Sequence, residues 1–345
     1  MVVVSAPGKL HLIGEHSVVY NEPAIIAAVG LRTTVKVEKA SNVRYYDTRF
    51  DHDFSWPLDE VRKAKEDVKR IWQQCFEKKN FTELFTLIKA DKYKIYKQAI
   101  VGLALEHLGI DGGVSLEIRS DIPVGAGMGS SASLHVCLAK GIADAYGKHI
   151  SLDEVNNVAF ELEKIIHGTP SGGDNSTSCF GGLIWFQKGT PNTIKPLKDE
   201  IPHKLENFVA VHTKQPEKTT GELVQLVRDL PEEFRTKRVK EIGAMARELL
   251  AVLKRKDTKR MQEIMNKTQE NLAELGVSIP EIDKIATAIR EIGGAAKLCG
   301  AGGGGFMLCH HDDVELLKDV ILSLGYKPLE IELAPSCFIE LLKII

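Results

Sequence analysis

Two hydrophobic periods divide this chain. Leu31, Thr33, Val35 and Val37 alternate with Arg32, Thr34, Lys36 and Glu38, which predicts a half-buried strand. Val114, Leu116 and Ile118 repeat the alternation, and Gly181–Phe186 reads as a further strand, as does the opening Val2-Val3-Val4. Elsewhere the period lengthens. Residues 43–95 carry Trp56, Trp72 and many Lys and Glu at helical spacing and read as a mostly helical excursion. Leu134, Val136, Leu138, Ile142 and Ala143 suit a buried helix face. Ser151-Leu152-Asp153-Glu154 is a capping box. It opens a helix that buries Val155, Val158, Ala159, Leu162, Ile165 and Ile166 and ends near Gly168 and Pro170.

The second half starts with a strand at Phe208–Val211 and continues in long amphipathic helical patterns to about residue 292, stopped by Gly293 and Gly294. Strand candidates surround residues 296–299, 306–309, 328–333 and 337–343, with a helix at 313–323. This order predicts an α+β fold, not a doubly wound sheet. The Pro-, Gly-, Lys- and Asp-rich segment 188–205 places a boundary between domains 1–200 and 201–345.

Composition narrows the class. With 345 residues, 43% hydrophobic and 27% charged, the chain has ample core for two domains. A formal net charge of −2 gives no global pull toward nucleic acid or an anionic membrane. No signal-peptide pattern and no apolar run approaching the ~20 residues of a membrane span occur, so a cytoplasmic protein is expected. The six cysteines are scattered without a C-x-x-C pair, as in reduced cytosolic enzymes. No H-E-x-x-H pattern supports zinc, and His310-His311-Asp312-Asp313 reads as a polar strand-to-helix connection.

Three segments carry candidate chemistry. Pro123-Val124-Gly125-Ala126-Gly127-Met128-Gly129-Ser130-Ser131 combines alternating glycines with a helix start. Glycines let backbone N–H groups approach an anion, and the helix adds unpaired N–H groups and partial positive charge. Taken alone, it could equally be a Gly-rich turn before a helix. Ser5-Ala6-Pro7-Gly8-Lys9 follows a strand with a turn that presents a lysine, a compact cation suited to a phosphoryl group. Lys297-Leu298-Cys299-Gly300-Ala301-Gly302-Gly303-Gly304-Gly305-Phe306 formally fits G-x-G-x-x-G, but a strand follows it where a dinucleotide fingerprint needs a helix.

In this order the three segments resemble those of the GHMP small-molecule kinases, over nearly the whole chain. Within that superfamily the match is most similar to the mevalonate kinases. Gly14-Glu15-His16-Ser17-Val18-Val19-Tyr20 is similar to their GEHxVVY segment. Glu163 followed by His167-Gly168-Thr169-Pro170-Ser171-Gly172-Gly173-Asp174-Asn175 and Phe180-Gly181-Gly182 resembles their E…HGxPSGxDN…GG arrangement. Thr213-Lys214, Pro216 and Thr219 resemble the start of their second domain. Cys299 departs from the usual Thr, Gly173 from the usual larger side chain, and the excursion aligns poorly.

The resemblance implies an N-terminal domain like ribosomal protein S5, a ferredoxin-like C-terminal domain, and a site between them. It implies ATP- and Mg2+-dependent phosphorylation of the 5-hydroxyl of mevalonate, with a possible homodimer. By carry-over, Asp174 and Lys9 are the catalytic pair, and Ser131 and Glu163 hold magnesium. Pro123, Gly125, Ala126, Gly127, Met128, Gly129, Ser130 and Ser131 cradle the nucleotide phosphates. Glu15, His16, Thr219 and Gly302 face the acceptor, with a hydroxyl or carboxylate expected beside His16. The rival readings are a kinase for phosphomevalonate, a sugar or an amino-acid alcohol, a related decarboxylase, and a catalytically silent sensor of ATP and a metabolite.

Overall fold

The structure is a computed structural model and describes residues 1–123, 127–335 and 339–340. The chain starts with β1 (Val2–Ile13), β2 (Pro23–Ala40), β3 (Val43–Asp47) and β4 (His52–Trp56). Helices α1 (Leu58–Glu77), α2 (Thr82–Lys89) and α3 (Lys94–His107) lead to β5 (Gly113–Ser120). Then come α4 (Ser130–Ala145), α5 (Leu152–His167), α6 (Gly173–Phe180), β6 (Leu183–Gln187) and β7 (Thr193–Pro196). The second half runs β8 (Phe208–His212), α7 (Thr220–Arg228), α8 (Glu232–Arg255), α9 (Thr258–Glu274), α10 (Pro280–Glu291), β9 (Ala295–Leu298) and β10 (Phe306–His310). It closes with α11 (Val314–Ser323), β11 (Pro328–Glu330) and β12 (Ile339–Glu340).

The first sheet has the order β12-β1-β2-β5-β3-β4, with β6 and β7 branching from β2. β2 is long enough to serve two partners: Thr33–Ala40 pairs with β5, and Pro23–Ala27 pairs with β6. Its first half, Ala24–Val29, is buried throughout, so it is an unbroken apolar run with no alternation to mark it as strand. That is why periodicity points only to its second half. The excursion also departs from expectation. Its first fourteen residues, 43–56, are a hairpin, not helix, with β3 adding parallel to β5 at the sheet edge. Helices follow only from Leu58.

The second sheet, β11-β8-β10-β9, is antiparallel throughout, and its β-α-β-β-α-β order is ferredoxin-like. Predicted caps appear where expected. Ser151 and Glu154 form a reciprocal capping box, Gly168 follows α5, and Asp313 caps α11 by accepting from the Leu316 N–H at 3.0 Å. The expected 328–333 strand is shorter, ending at Glu330. Of the expected 337–343 strand, Ile339 and Glu340 pair with Ser5 and Val4, so the C-terminal segment returns to the first sheet; the rest lies outside the described residues.

Two apolar clusters stabilise this arrangement. One joins the first sheet to α1, α3, α4 and α5. The other crosses the domain boundary, packing Leu10, Leu12, Ile25 and Val29 with Val209, Leu249, Leu298 and Met307. The cleft between the domains is therefore walled on one side by β1 and on the other by the loop after β9.

Candidate active site

A cleft of 820 Å³ opens where these elements meet. On its first wall Gly127, Met128 and Gly129 run into α4. Gly129 is the N-cap residue at φ 71°, a left-handed backbone, and a Cβ there would come 2.7 Å from Lys9 Cγ. Glycine thus lets β1 and the loop touch, and the Lys9 N–H donates to the Met128 carbonyl at 2.9 Å. Ser130 Oγ accepts from Arg49 at 3.1 Å, and Arg49 is anchored 2.8 Å from the buried Asp47. The α4 N-terminus therefore faces the cleft with N–H groups and hydroxyls, an anion-binding arrangement.

Lys9 and Asp174 come together from 165 positions apart in sequence, with Nζ 3.1 Å from Oδ2. Asp174 lies in the first turn of α6, where the helix dipole favours a carboxylate. Gly172, at φ 85°, sets the turn that aims it. Lys9 is the more buried partner, so Asp174 presents its free edge to the cleft.

Behind the cleft lies Glu163, 1% exposed. Its carboxylate oxygens are met by His135 Nδ1 at 2.8 Å and His167 Nε2 at 3.3 Å. Tyr96 OH in turn lies 2.9 Å from His135 Nε2. Burial alone would raise the Glu163 pKa, but the two imidazoles outweigh it and hold the carboxyl well below its usual range. Burial lowers the His167 pKa, and the hydrogen bond and charge of Glu163, with the charge of Asp174, more than reverse it. His167 Nε2 is also 3.3 Å from Ser131 Oγ, so the imidazole sits between Ser131 and Glu163. Among the described residues no cluster of three or more His, Cys, Asp or Glu could hold a metal ion. One hydroxyl and one ionised carboxylate beside a phosphate loop nevertheless fit magnesium, which takes few protein oxygens and completes its shell with phosphate and water. The half-exposed His167 imidazole is the group that would have to yield.

The second wall is tied differently. Glu15 and Lys297 form a fully buried ion pair across the domain boundary, and Lys297 Nζ also donates to the carbonyls of Leu298 at 2.8 Å and His11 at 3.3 Å. Burial raises the Glu15 pKa against the opposing pull of Lys297. His16 Nε2 lies 2.8 Å from the Ala301 carbonyl. Burial lowers the His16 pKa, so the neutral ring donates through Nε2 and keeps Nδ1 as an acceptor, suited to a hydroxyl and not to a carboxylate. Gly302, at φ 86°, leaves no space for a Cβ, which would lie 2.2 Å from the Val277 carbonyl oxygen.

The cleft thus gathers Lys9, Asp174, Pro123, Gly127, Met128, Gly129, Ser130, Ser131, Glu15, His16 and Gly302 from the sequence reading. Glu163 lies beneath its surface. Gly125 and Ala126 lie outside the described residues. Thr219 departs from the reading: it is exposed, does not line the cleft, and caps α7 in a reciprocal box with Glu222. Sequence reasoning missed His11, Arg49, His135 and Lys297. His11 had a local signal, its position two residues after Lys9 on one strand; the others depend on distant partners.

Comparison with known proteins defines the class first. The GHMP kinases N terminal domain model matches residues 94–182 and the GHMP kinases C terminal model matches residues 245–327. Mevalonate kinase of Thermococcus sibiricus is 32% identical, with 89% of this chain and 88% of that protein covered. Mevalonate kinase of Schizosaccharomyces pombe is 31% identical, covering 93% and 87%. The solved Methanococcus jannaschii mevalonate kinase has a TM-score of 0.81 at 25% identity, covering 96% of this chain and 98% of its own. The chain belongs to the mevalonate kinase family of the GHMP kinases.

Proposed function

We propose that this protein transfers the γ-phosphoryl group of ATP to the 5-hydroxyl of mevalonate, giving 5-phosphomevalonate and ADP. The observation that supports the reading is the Lys9–Asp174 contact of 3.1 Å in the cleft, beside the N-terminus of α4. In the reaction a bond forms between the hydroxyl oxygen and the γ-phosphorus, and the bond from that phosphorus to the β–γ bridging oxygen breaks. The hydroxyl proton passes to Asp174. Lys9 stabilises the negative charge on the attacking oxygen and the transferring group. The glycine-loop N–H groups and the α4 N-terminus hold the phosphates in line. Ser131 and Glu163 would hold Mg2+, which when bound neutralises charge on the β- and γ-phosphates.

The test is ADP release by the purified protein with Mg·ATP and mevalonate, phosphomevalonate, galactose or homoserine in parallel, with phosphorus NMR of the product. Turnover on mevalonate with a new phosphomonoester signal is expected. Turnover on another acceptor alone moves the substrate and keeps the kinase. No turnover with ATP still bound favours a silent sensor.

A further inference from the structure

We propose that His11 determines acceptor specificity by hydrogen-bonding the hydroxyl that mevalonate retains at C3 while its C5 hydroxyl is phosphorylated. The inference rests on the mevalonate reading above. Along β1, Leu10 and Leu12 enter the core, so Lys9 and His11 face the cleft, and both line it. Strand geometry sets their Cα atoms about 6.6 Å apart. Lys9 meets Asp174, where the C5 hydroxyl would react. His11 is the next side chain of β1 on the cleft side, leading toward Glu15 and His16.

Polar partners in this chamber are unevenly used. Lys297 is engaged by Glu15 and two carbonyls, and His16 Nε2 by Ala301. Of the buried side-chain atoms without a hydrogen-bond partner among the described residues, three belong to residues that line this cleft: His11 Nδ1, Glu15 Oε2 and His16 Nδ1. Each such atom costs about 1–3 kcal/mol when left unpaired. No hydrogen bond engages the His11 ring among the described residues, and His11 lines the same cleft as Lys9, Glu15 and His16, so an unused imidazole stands beside the acceptor chamber. Burial, then the charges of Lys9 and Lys297, keep His11 neutral. A neutral imidazole has one donor and one acceptor, which matches an alcohol.

The test compares kcat/KM for mevalonate and for its 3-deoxy analogue, 5-hydroxy-3-methylpentanoate, in the unmutated protein, His11→Ile and His11→Asn. Isoleucine suits a strand, and asparagine keeps a donor and an acceptor. The preference for mevalonate should fall about tenfold in His11→Ile, the size of one neutral hydrogen bond. His11→Asn should recover part of it. A change in preference below about threefold, with both substrates losing equally, makes His11 merely structural and overturns the proposal. Failure of the unmutated protein on mevalonate overturns the acceptor reading, and this proposal with it, before any variant is compared.

Discussion

The cleft contains two buried glutamates built in opposite ways. Glu163 is held between two imidazoles, one of them, His167, half-exposed to the cleft. Glu15 is held by Lys297, and both partners are wholly removed from solvent. A counter-ion at the edge of a cleft can be exchanged for another cation. One sealed behind a domain boundary cannot, because separating it would strand two charges in a low-dielectric interior. The first wall therefore keeps its polar groups available for chemistry, whereas the second uses most of its own to fix β1 against the C-terminal domain. Two acidic residues of the same type, each next to a recognisable motif, serve exchange in one case and attachment in the other.

The largest expected effect tests the available wall. Asp174→Asn keeps shape and removes the proton acceptor. It should lower kcat by about 10²–10⁴-fold while ATP binding, followed by calorimetry, persists. Near-normal turnover would remove Asp174 from the mechanism. The next effect tests the sealed wall. Lys297→Met leaves Glu15 buried and unpaired, and should cost about 3–5 kcal/mol in urea unfolding. Adding Glu15→Leu should restore most of that stability. If Lys297→Met is harmless, the pair is no tie and the contrast between the walls collapses.

Acid and base distinguish the two carboxylates more finely. The Glu163 pKa is lowered in the folded state, so its stabilisation is present above the unfolded value near 4.5 and is lost as pH falls through the folded value. The Glu15 pKa is raised, so between about 4.5 and its folded value the native state binds more protons and stability falls as pH rises. Chemical denaturation across this range should show Glu163→Gln flattening the acid limb, and Glu15→Gln flattening a decline on the other side. Slopes of the same sign for both would contradict the opposed environments.

How much of this was legible depends on how far apart the interacting groups lie in the chain. The capping box at Ser151, the stop at Gly168 and the cap at Asp313 each depend on a few neighbouring residues, and all were readable. The turn before Asp174 was readable for the same reason. The Glu15–Lys297 pair spans 282 positions and the His16–Ala301 contact 285, and no local period encodes either. His135 sits in α4 among apolar residues at helical spacing, where a histidine has no signature until Glu163 and Tyr96 are placed beside it. The hairpin at 43–56 was hidden by short strands leading directly into a charged helix. The first half of β2 was hidden because burial on both faces removes the alternation by which a strand is recognised.

Thr219 supplies the smallest effect and a direct check on where the available wall ends. Its family resemblance points to the acceptor, but its hydroxyl accepts from the Glu222 N–H at 3.3 Å and its neighbours Lys218 and Thr220 line the cleft instead. A hydroxyl used as a cap is already satisfied and gains little by turning to a ligand. Asparagine caps helices as well as serine does and better than threonine, and puts no second carboxylate beside Glu222, so Thr219→Asn should leave stability within about 0.5 kcal/mol. It should also leave KM for the acceptor unchanged, whereas Thr219→Ala should cost about 1 kcal/mol of stability with the same unchanged KM. A rise in KM in both variants, with the cap intact in one, would return Thr219 to the acceptor pocket. It would also mean that the C-terminal wall closes further over the substrate than its resting geometry indicates.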